Sequence, residues 1–333
     1  MNHLSSNGNS WPDLDWPSSF PANLNIDPCL PELLSLAAAE APNVTGIVVI
    51  RYGHIAAEHW ADGWSASAAV DIRSCTKSLL SALVGTALMD GLLPDLSITI
   101  GNLIPDRIPN NADPAVADIT LWSLLTMTSG LQWDGIKDYE RLEAADNPVT
   151  LTLSQPIVAP QGESYAYNSG GSHIIGLMVA SAAKVPLEDY AANALFEPLG
   201  MSPANWRRTP QGEVIGGYGL TLRPADMARF GYLYLRNGLW HNTRLIATEY
   251  VRQSTTVQSA GDPRMNALYG YQWWISNRSG HNSFIAIGYG GNSVYVVPEL
   301  DLIVVTAVGD IDGPLYPPRP IIESTVIPLV YPD

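Results

Sequence analysis

Val70-Asp71-Ile72-Arg73-Ser74-Cys75-Thr76-Lys77, running on into Ser78-Leu79-Leu80-Ser81-Ala82-Leu83-Val84-Gly85, sets a hydroxyl and an amine one helical turn apart. Residues 70–73 read as a short extended run, and residues 74–89 carry apolar side chains at helical spacing. Positions i and i+3 of a helix share a face, so Lys77 can reach the Ser74 hydroxyl. Backbone N–H groups at a helix start point outward and favour negative charge there. A serine so placed can lose its proton to a neutral lysine while it attacks a carbonyl carbon. The pattern S-x-x-K is short, and many unrelated helices carry it with a solvated lysine. Other features must carry the reading.

Lysine is scarce in the chain. Lys77, Lys137 and Lys184 are the only lysines among 17 basic residues. Arginine stays protonated at any ordinary pH and cannot act as a base. A lysine kept within an apolar helix fits a need for a deprotonatable amine, because burial and a positive helix end lower its pKa. A second element, Tyr165-Ala166-Tyr167-Asn168-Ser169-Gly170-Gly171, opens another apolar helix and presents a phenol at its start. A third, Gly288-Tyr289-Gly290-Gly291-Asn292, lies between two strand-like runs. Glycines there mark either a hairpin turn or a close backbone approach.

In this order the three elements resemble the serine β-lactamase and penicillin-binding protein superfamily. They look most like its class C-like branch of esterases, D-stereospecific peptidases and 6-aminohexanoate-dimer hydrolases. Leu124-Leu125-Thr126-Met127-Thr128-Ser129-Gly130-Leu131, Gly217-Tyr218-Gly219-Leu220 with the following residues 223–231, and Tyr269-Gly270-Tyr271-Gln272-Trp273-Trp274 extend the resemblance over residues 45–330. It implies Ser74 as nucleophile, Lys77 as base and Tyr167 as its proton-transfer partner. Asn168 and Ser169 would orient the phenol or the substrate. The oxyanion would be held by the backbone N–H groups of Ser74 and Asn292, beside Tyr289, Gly290 and Gly291. No metal or cofactor is implied. The third motif of the family is often Lys-Thr-Gly or His-x-Gly, and the matching Tyr289-Gly290-Gly291 has no cation. Ser169 stands where the second motif commonly has Asn. Esters of short acyl chains are therefore the expected substrates. Linear amides, D-amino peptides and 6-aminohexanoate oligomers follow, with β-lactams last. The rival of another class is a catalytically inactive relative that binds peptides.

Composition bounds the alternatives. Hydrophobic content of 46% against 15% charged residues describes a globular core with a sparsely charged surface. A net charge of −15 disfavours nucleic acid or an anionic membrane as partner. The expected partner is a small ester or amide, and the oligomeric state is open. Cys29 and Cys75 do not suggest a disulfide framework, and Cys75 reads as a buried structural thiol. The six histidines show no metal-ligand spacing, and Gly63-Trp64-Ser65-Ala66-Ser67 fails the G-x-S-x-G pattern at its last position. No secretion signal is visible at residues 1–21 and no apolar run is long enough to span a bilayer, so a cytoplasmic enzyme is expected. Trp122, Trp133, Trp273 and Trp274 are candidates to line an apolar acyl pocket.

Residues 1–30 read as an irregular arm, and 31–40 as a helix opened by Pro31. Residues 46–52 and 55–60 read as a hairpin, 140–146, 186–195 and 224–237 as helices, and 271–275, 284–287, 293–297 and 302–307 as strands. A last helix is expected at 321–331. Strands at both ends with helices between them predict an α/β chain of the α+β type with a β-lactamase-like layout. In that layout an antiparallel sheet built from both chain ends is flanked by helices and carries an inserted, mostly helical region. The expected division is an arm at 1–30, a sheet-containing domain at 31–89 and 260–333, and a mostly helical domain at 90–259.

Overall fold

The computed structural model describes residues 11–12, 15–309 and 317–332. The N-terminal hairpin pairs β1 (Val44–Arg51) with β2 (His54–Trp60). The C-terminal part supplies β3 (Ser259–Asp262), β4 (Ala267–Tyr269), β5 (Trp274–Ser276), β6 (Ser283–Ile287), β7 (Ser293–Val297) and β8 (Leu302–Val308). Together they form one eight-stranded sheet in the order β2-β1-β8-β7-β6-β5-β4-β3, with every neighbouring pair antiparallel. The two chain ends meet where β1 pairs with β8, Val49 opposite Val304. The expected sheet from both termini is what the structure shows.

Alternation along the strands covers both faces of this sheet. Ile47 and Val49 of β1, with Tyr295, Val297 and Val304, pack against helix α1 (Leu30–Ala39) and the C-terminal helix that begins at Arg319. Val48 and Ile50, with Val294, Val296, Ile303 and Val305, face the larger core. That core holds α2 (Thr76–Met89), α3 (Leu121–Leu125), α5 (Ser169–Ala183) and α6 (Pro224–Leu235). Helix α4 (Gly135–Glu143) lies at its margin. Every residue of α2 from Thr76 to Ala87 is buried, so this helix is wrapped on all sides.

Several boundaries differ from expectation, each for a local reason. The strand expected at 271–275 starts only at Trp274, because Gln272 takes a left-handed conformation, φ 61°, and the backbone N–H of Tyr271 and Gln272 bond to Ser254 and Leu125 instead of a strand. The helix expected at 140–146 runs instead from Gly135 to Glu143. The last helix begins at Arg319, widens to a π turn at Ile322–Val326 and closes as a 3₁₀ turn, Ile327–Leu329. Pro328 in that turn has no N–H to continue an α-helix. The described part of the N-terminal arm is irregular but packed. Trp16, Leu24 and Ile26 are buried, and Arg51 fastens the arm by donating to the carbonyls of Leu24 and Asn25.

Helix α6 approaches the sheet at Gly231, where a Cβ would lie 2.7 Å from Val294 Cγ1 and 3.2 Å from Ile303 Cγ2. Neither neighbour can retreat from a packed sheet. Gly231→Val is expected to destabilise the fold by about 1–3 kcal/mol through overpacking, read as a lower midpoint of urea unfolding.

Candidate active site

Asp71 shapes the chain just before Ser74. Its carboxylate accepts the Arg73 N–H at 2.8 Å, and Arg73 adopts a left-handed φ of 52°. A tight 3₁₀ turn, Arg73–Cys75, then leads into α2, so the α-helix proper starts at Thr76 and not at Ser74. A non-glycine residue held at positive φ is strained, and it persists only where its surroundings over-determine it. Ser74 is half-buried at the end of this kink, and Lys77 points back at it from the first turn of α2.

Lys77 is only 1% exposed. It donates to Ser74 Oγ at 3.0 Å and to the Gly217 carbonyl at 2.8 Å. Its nitrogen also stands 4.9 Å from the ring centroid of Tyr167. Burial pushes the lysine pKa down to about 7. The Tyr167 phenol is pushed well up by burial, while a hydrogen bond with Ser74 pulls the other way. Near neutral pH the arrangement keeps a substantial fraction of the amine uncharged, beside a neutral phenol and a hydroxyl. The hydroxyl, amine and phenol singled out in the sequence thus converge, although 90 residues separate Lys77 from Tyr167 along the chain.

Tyr167 is placed by its neighbours. Met127 accepts the Ala166 N–H on its carbonyl at 2.8 Å and the Asn168 N–H on its sulfur at 3.2 Å. Trp274 stacks on the phenol ring, with centroids 5.7 Å apart and planes 21° apart. Asn168 is buried and caps α5 by accepting the Gly171 N–H at 2.8 Å, and Ser169 begins that helix in a buried position. Beneath Gly217, the Gly216 N–H leans on Nδ1 of buried His173, at 3.4 Å. Burial pushes that imidazole down to about 4, so it stays neutral.

The glycine-rich stretch is a hairpin turn joining β6 to β7, with Gly290 at φ 89° and Gly291 at φ 116°. Both bonded partners and conformation commit these glycines to the turn. The Gly290 carbonyl accepts from Asn43 and the Gly291 carbonyl from Thr306. Tyr289 at its tip is exposed. Asn292 is wholly buried. Its amide donates to the Asp71 carbonyl and accepts the Val308 N–H, and its carbonyl accepts the Gly288 N–H. Its side chain therefore belongs to the fold, leaving the backbone N–H for the role the resemblance implies. Gly288 brings the end of β6 against the segment before Ser74, since a Cβ there would lie 2.3 Å from the Ile72 carbonyl oxygen.

A cavity of about 380 Å³ opens beside Tyr167, bounded by Trp133, Asp134, Tyr165, Asp262 and Arg264 among others. Of the four tryptophans named as candidates for an acyl pocket, Trp133 lines this cavity and Trp274 backs Tyr167. Trp273 is instead fully buried against Phe230 and Phe284, and Trp122 borders a different groove with Leu88 and Tyr250. Sequence reading missed the Gly217 carbonyl and the Met127 thioether, which are identified only by where the chain brings them. Gly288 was read as part of the glycine-rich element, and its close approach to Ile72 is one of the two alternatives left open there. Among the described residues no group of three or more His, Cys, Asp or Glu could hold a metal ion, and no helix is long and apolar enough to cross a membrane.

The beta-lactamase family model matches residues 37–309, so this chain belongs to the beta-lactamase family. Solved structures agree on the fold at low identity. A Bacteroides dorei protein provisionally named a beta-lactamase superposes with a TM-score of 0.72 at 20% identity, covering 90% of this chain and 97% of the other. A Bacillus anthracis protein provisionally named a 6-aminohexanoate-dimer hydrolase gives 0.70 at 20% identity, covering 90% and 84%. EstCE1, a hydrolase with promiscuous acyltransferase activity, gives 0.72 at 14% identity, covering 89% and 97%. No curated protein sequence matches this chain.

Cys75, beside Ser74, is fully buried, and desolvation holds its thiol well above the usual range. Cys29 is exposed. A thiol titration with Ellman's reagent at pH 8 should count one reactive cysteine in the native protein, Cys29, and two after denaturation.

Proposed function

We propose that this protein is a serine hydrolase that cleaves an ester or amide bond through an acyl-enzyme on Ser74, in the manner of the class C-like branch. The observation that carries the reading is the buried Lys77 amine, 3.0 Å from Ser74 Oγ and with a pKa near 7. Neutral Lys77, coupled to Tyr167, accepts the serine proton as Oγ attacks the carbonyl carbon. The oxyanion is received by the backbone N–H groups of Ser74 and Asn292, each such donor being worth about 2.7–4 kcal/mol in the transition state. Tyr167 returns the proton to the leaving alcohol or amine, and then assists water against the acyl-enzyme. Asn168, as helix cap, and Ser169 hold the backbone that presents the phenol.

Charge around the site supports the substrate order of esters first, linear amides next and β-lactams last. Tyr289-Gly290-Gly291 supplies no cation, and three arginines around the site are already paired. Arg73 pairs with Asp71, Arg207 with Glu143, and Arg264 at the cavity rim with Asp262. Arg208 is likewise taken, by Glu188. An anionic substrate would have to displace one of these carboxylates. The 6-aminohexanoate oligomers and D-amino peptides are the amide alternatives, without preference between them. The same reading places the protein's helical insertion at 90–259 as a domain between the two sheet-forming segments.

Ser74→Ala is expected to abolish turnover of p-nitrophenyl esters, and Lys77→Ala and Tyr167→Phe each to lower it at least about a hundredfold with the fold intact. A fluorophosphonate probe should label the intact protein and not Ser74→Ala; absence of labelling in both would favour a non-catalytic peptide-binding relative. The pH profile has a definite sign. Lys77 must be uncharged to act, so kcat/KM should fall as pH drops through about 7 and level off above it. A hydrolysis panel of p-nitrophenyl esters, D-aminoacyl anilides, 6-aminohexanoate dimer and nitrocefin orders the substrates.

A further inference from the structure

The hydrogen bonds of Gln272 go to neighbours of Ser74, Lys77 and Tyr167 and reach the elements that carry all three. It is 2% exposed and sits at a left-handed φ of 61°. Its carbonyl accepts from Ser78 Oγ at 2.7 Å, and Ser78 follows Lys77 directly on α2. Its side-chain Oε1 accepts from Ser172 Oγ at 2.9 Å. Ser172 lies on α5, and its hydroxyl and N–H both turn toward the Asn168 carbonyl, next to Tyr167. Its side-chain Nε2 donates to the Leu124 and Leu125 carbonyls at 3.2 and 3.0 Å, and its backbone N–H adds a bond to Leu125 at 3.1 Å. Two residues on, Met127 suspends Tyr167 through the N–H groups on either side of it.

Both amide hydrogens and the amide oxygen of the side chain are therefore used, as are the backbone donor and acceptor. A buried polar group so fully satisfied rigidifies what it joins. A non-glycine residue at positive φ is also unfavourable unless its surroundings fix it, and such residues concentrate where geometry matters to function. Trp274, two residues further on, completes the linkage by stacking on the Tyr167 ring. One short segment thus holds the lysine helix, the tyrosine turn and the ring face of the phenol.

Resting on the serine-hydrolase reading above, we infer that Gln272 is a positioning residue that sets the spacing of the Ser74–Lys77 pair from Tyr167. Ser172 acts through it. Removing the side-chain bonds leaves each element folded but lets the amine and the phenol drift relative to one another. Small displacements of that kind are costly in rate, because proximity and alignment account for much of catalysis.

The test measures the labelling kinetics of Ser74 by a fluorophosphonate in Gln272→Met, Ser172→Ala, the double variant and Ser74→Ala. Gln272→Met keeps the approximate size of the side chain and removes its three polar bonds. Ser172→Ala removes the hydroxyl shared between Gln272 Oε1 and the Asn168 carbonyl from an ordinary helical position, and guards against a Gln272 variant that does not fold. The expected maximal labelling rate falls about thirtyfold in Gln272→Met and about tenfold in Ser172→Ala, with half-saturating probe concentration within twofold of the parent. The double variant should be no slower than Gln272→Met. A merely structural role would instead reduce the fraction of protein that labels and leave the rate of the labelled fraction unchanged. That result, or maximal rates within twofold of the parent for folded Ser172→Ala and Gln272→Met, overturns the inference while Ser74→Ala stays unlabelled. Labelling of Ser74→Ala at the parent rate would overturn the serine-hydrolase reading itself.

Discussion

An amine taken out of water and held between two oxygens is the constraint on which this molecule's site depends. Lys77 lies in a helix buried on every side, and among the described residues its nitrogen meets Ser74 Oγ, the Gly217 carbonyl and the face of Tyr167. Desolvation lowers its pKa from the ordinary 10.5 to about 7. The shift implies a stability cost for a protonated lysine on the order of 5 kcal/mol. Between those two values the unfolded chain binds the proton that the folded chain releases, so this group's contribution to stability improves as pH rises from about 7 to 10.5 and is least favourable below 7. A residue so unfavourable for the fold is explained by what its neutral form can do.

The rest of the architecture serves to keep that amine dry and correctly addressed. The sheet, closed by pairing of β1 with β8, gives the flat apolar face on which the α2, α5 and α6 layer packs. Close approaches need glycine at defined places. Gly231 lets α6 settle on β7 and β8, and Gly288 lets the end of β6 meet the segment before Ser74. Two left-handed non-glycine residues, Arg73 and Met127, turn the chain at the points that present the serine and suspend the tyrosine. Both are pinned by hydrogen bonds.

Much of this was legible in the sequence, and the limits have physical causes. The β-branched runs at 46–50, 293–297 and 302–307 alternate between two buried faces and reveal the sheet from local pattern alone. The Ser74–Lys77 spacing and the scarcity of lysine pointed to the amine, since both are properties of residue type and position. Tyr167 needed the resemblance to a family, because one phenol among 15 tyrosines carries no distinguishing local signal. The Gly217 carbonyl and the Met127 sulfur were invisible, as a backbone oxygen or an ordinary apolar side chain gains its role only from tertiary placement. The strand start at Trp274 was misjudged for the same reason, since the left-handed turn at Gln272 is imposed by long-range bonds to Leu124 and Leu125. The tryptophans divided between core and cavity by location, which composition does not encode.

The central claim, a Lys77 pKa lowered to about 7, is open to direct observation because the chain has only three lysines. Protein labelled with ¹³C at the lysine Cε would be titrated by NMR from pH 5 to 11, with Lys77→Arg to assign the resonance. The account predicts that the resonance lost in Lys77→Arg titrates near pH 7. A Lys77 resonance titrating above pH 10 would contradict it.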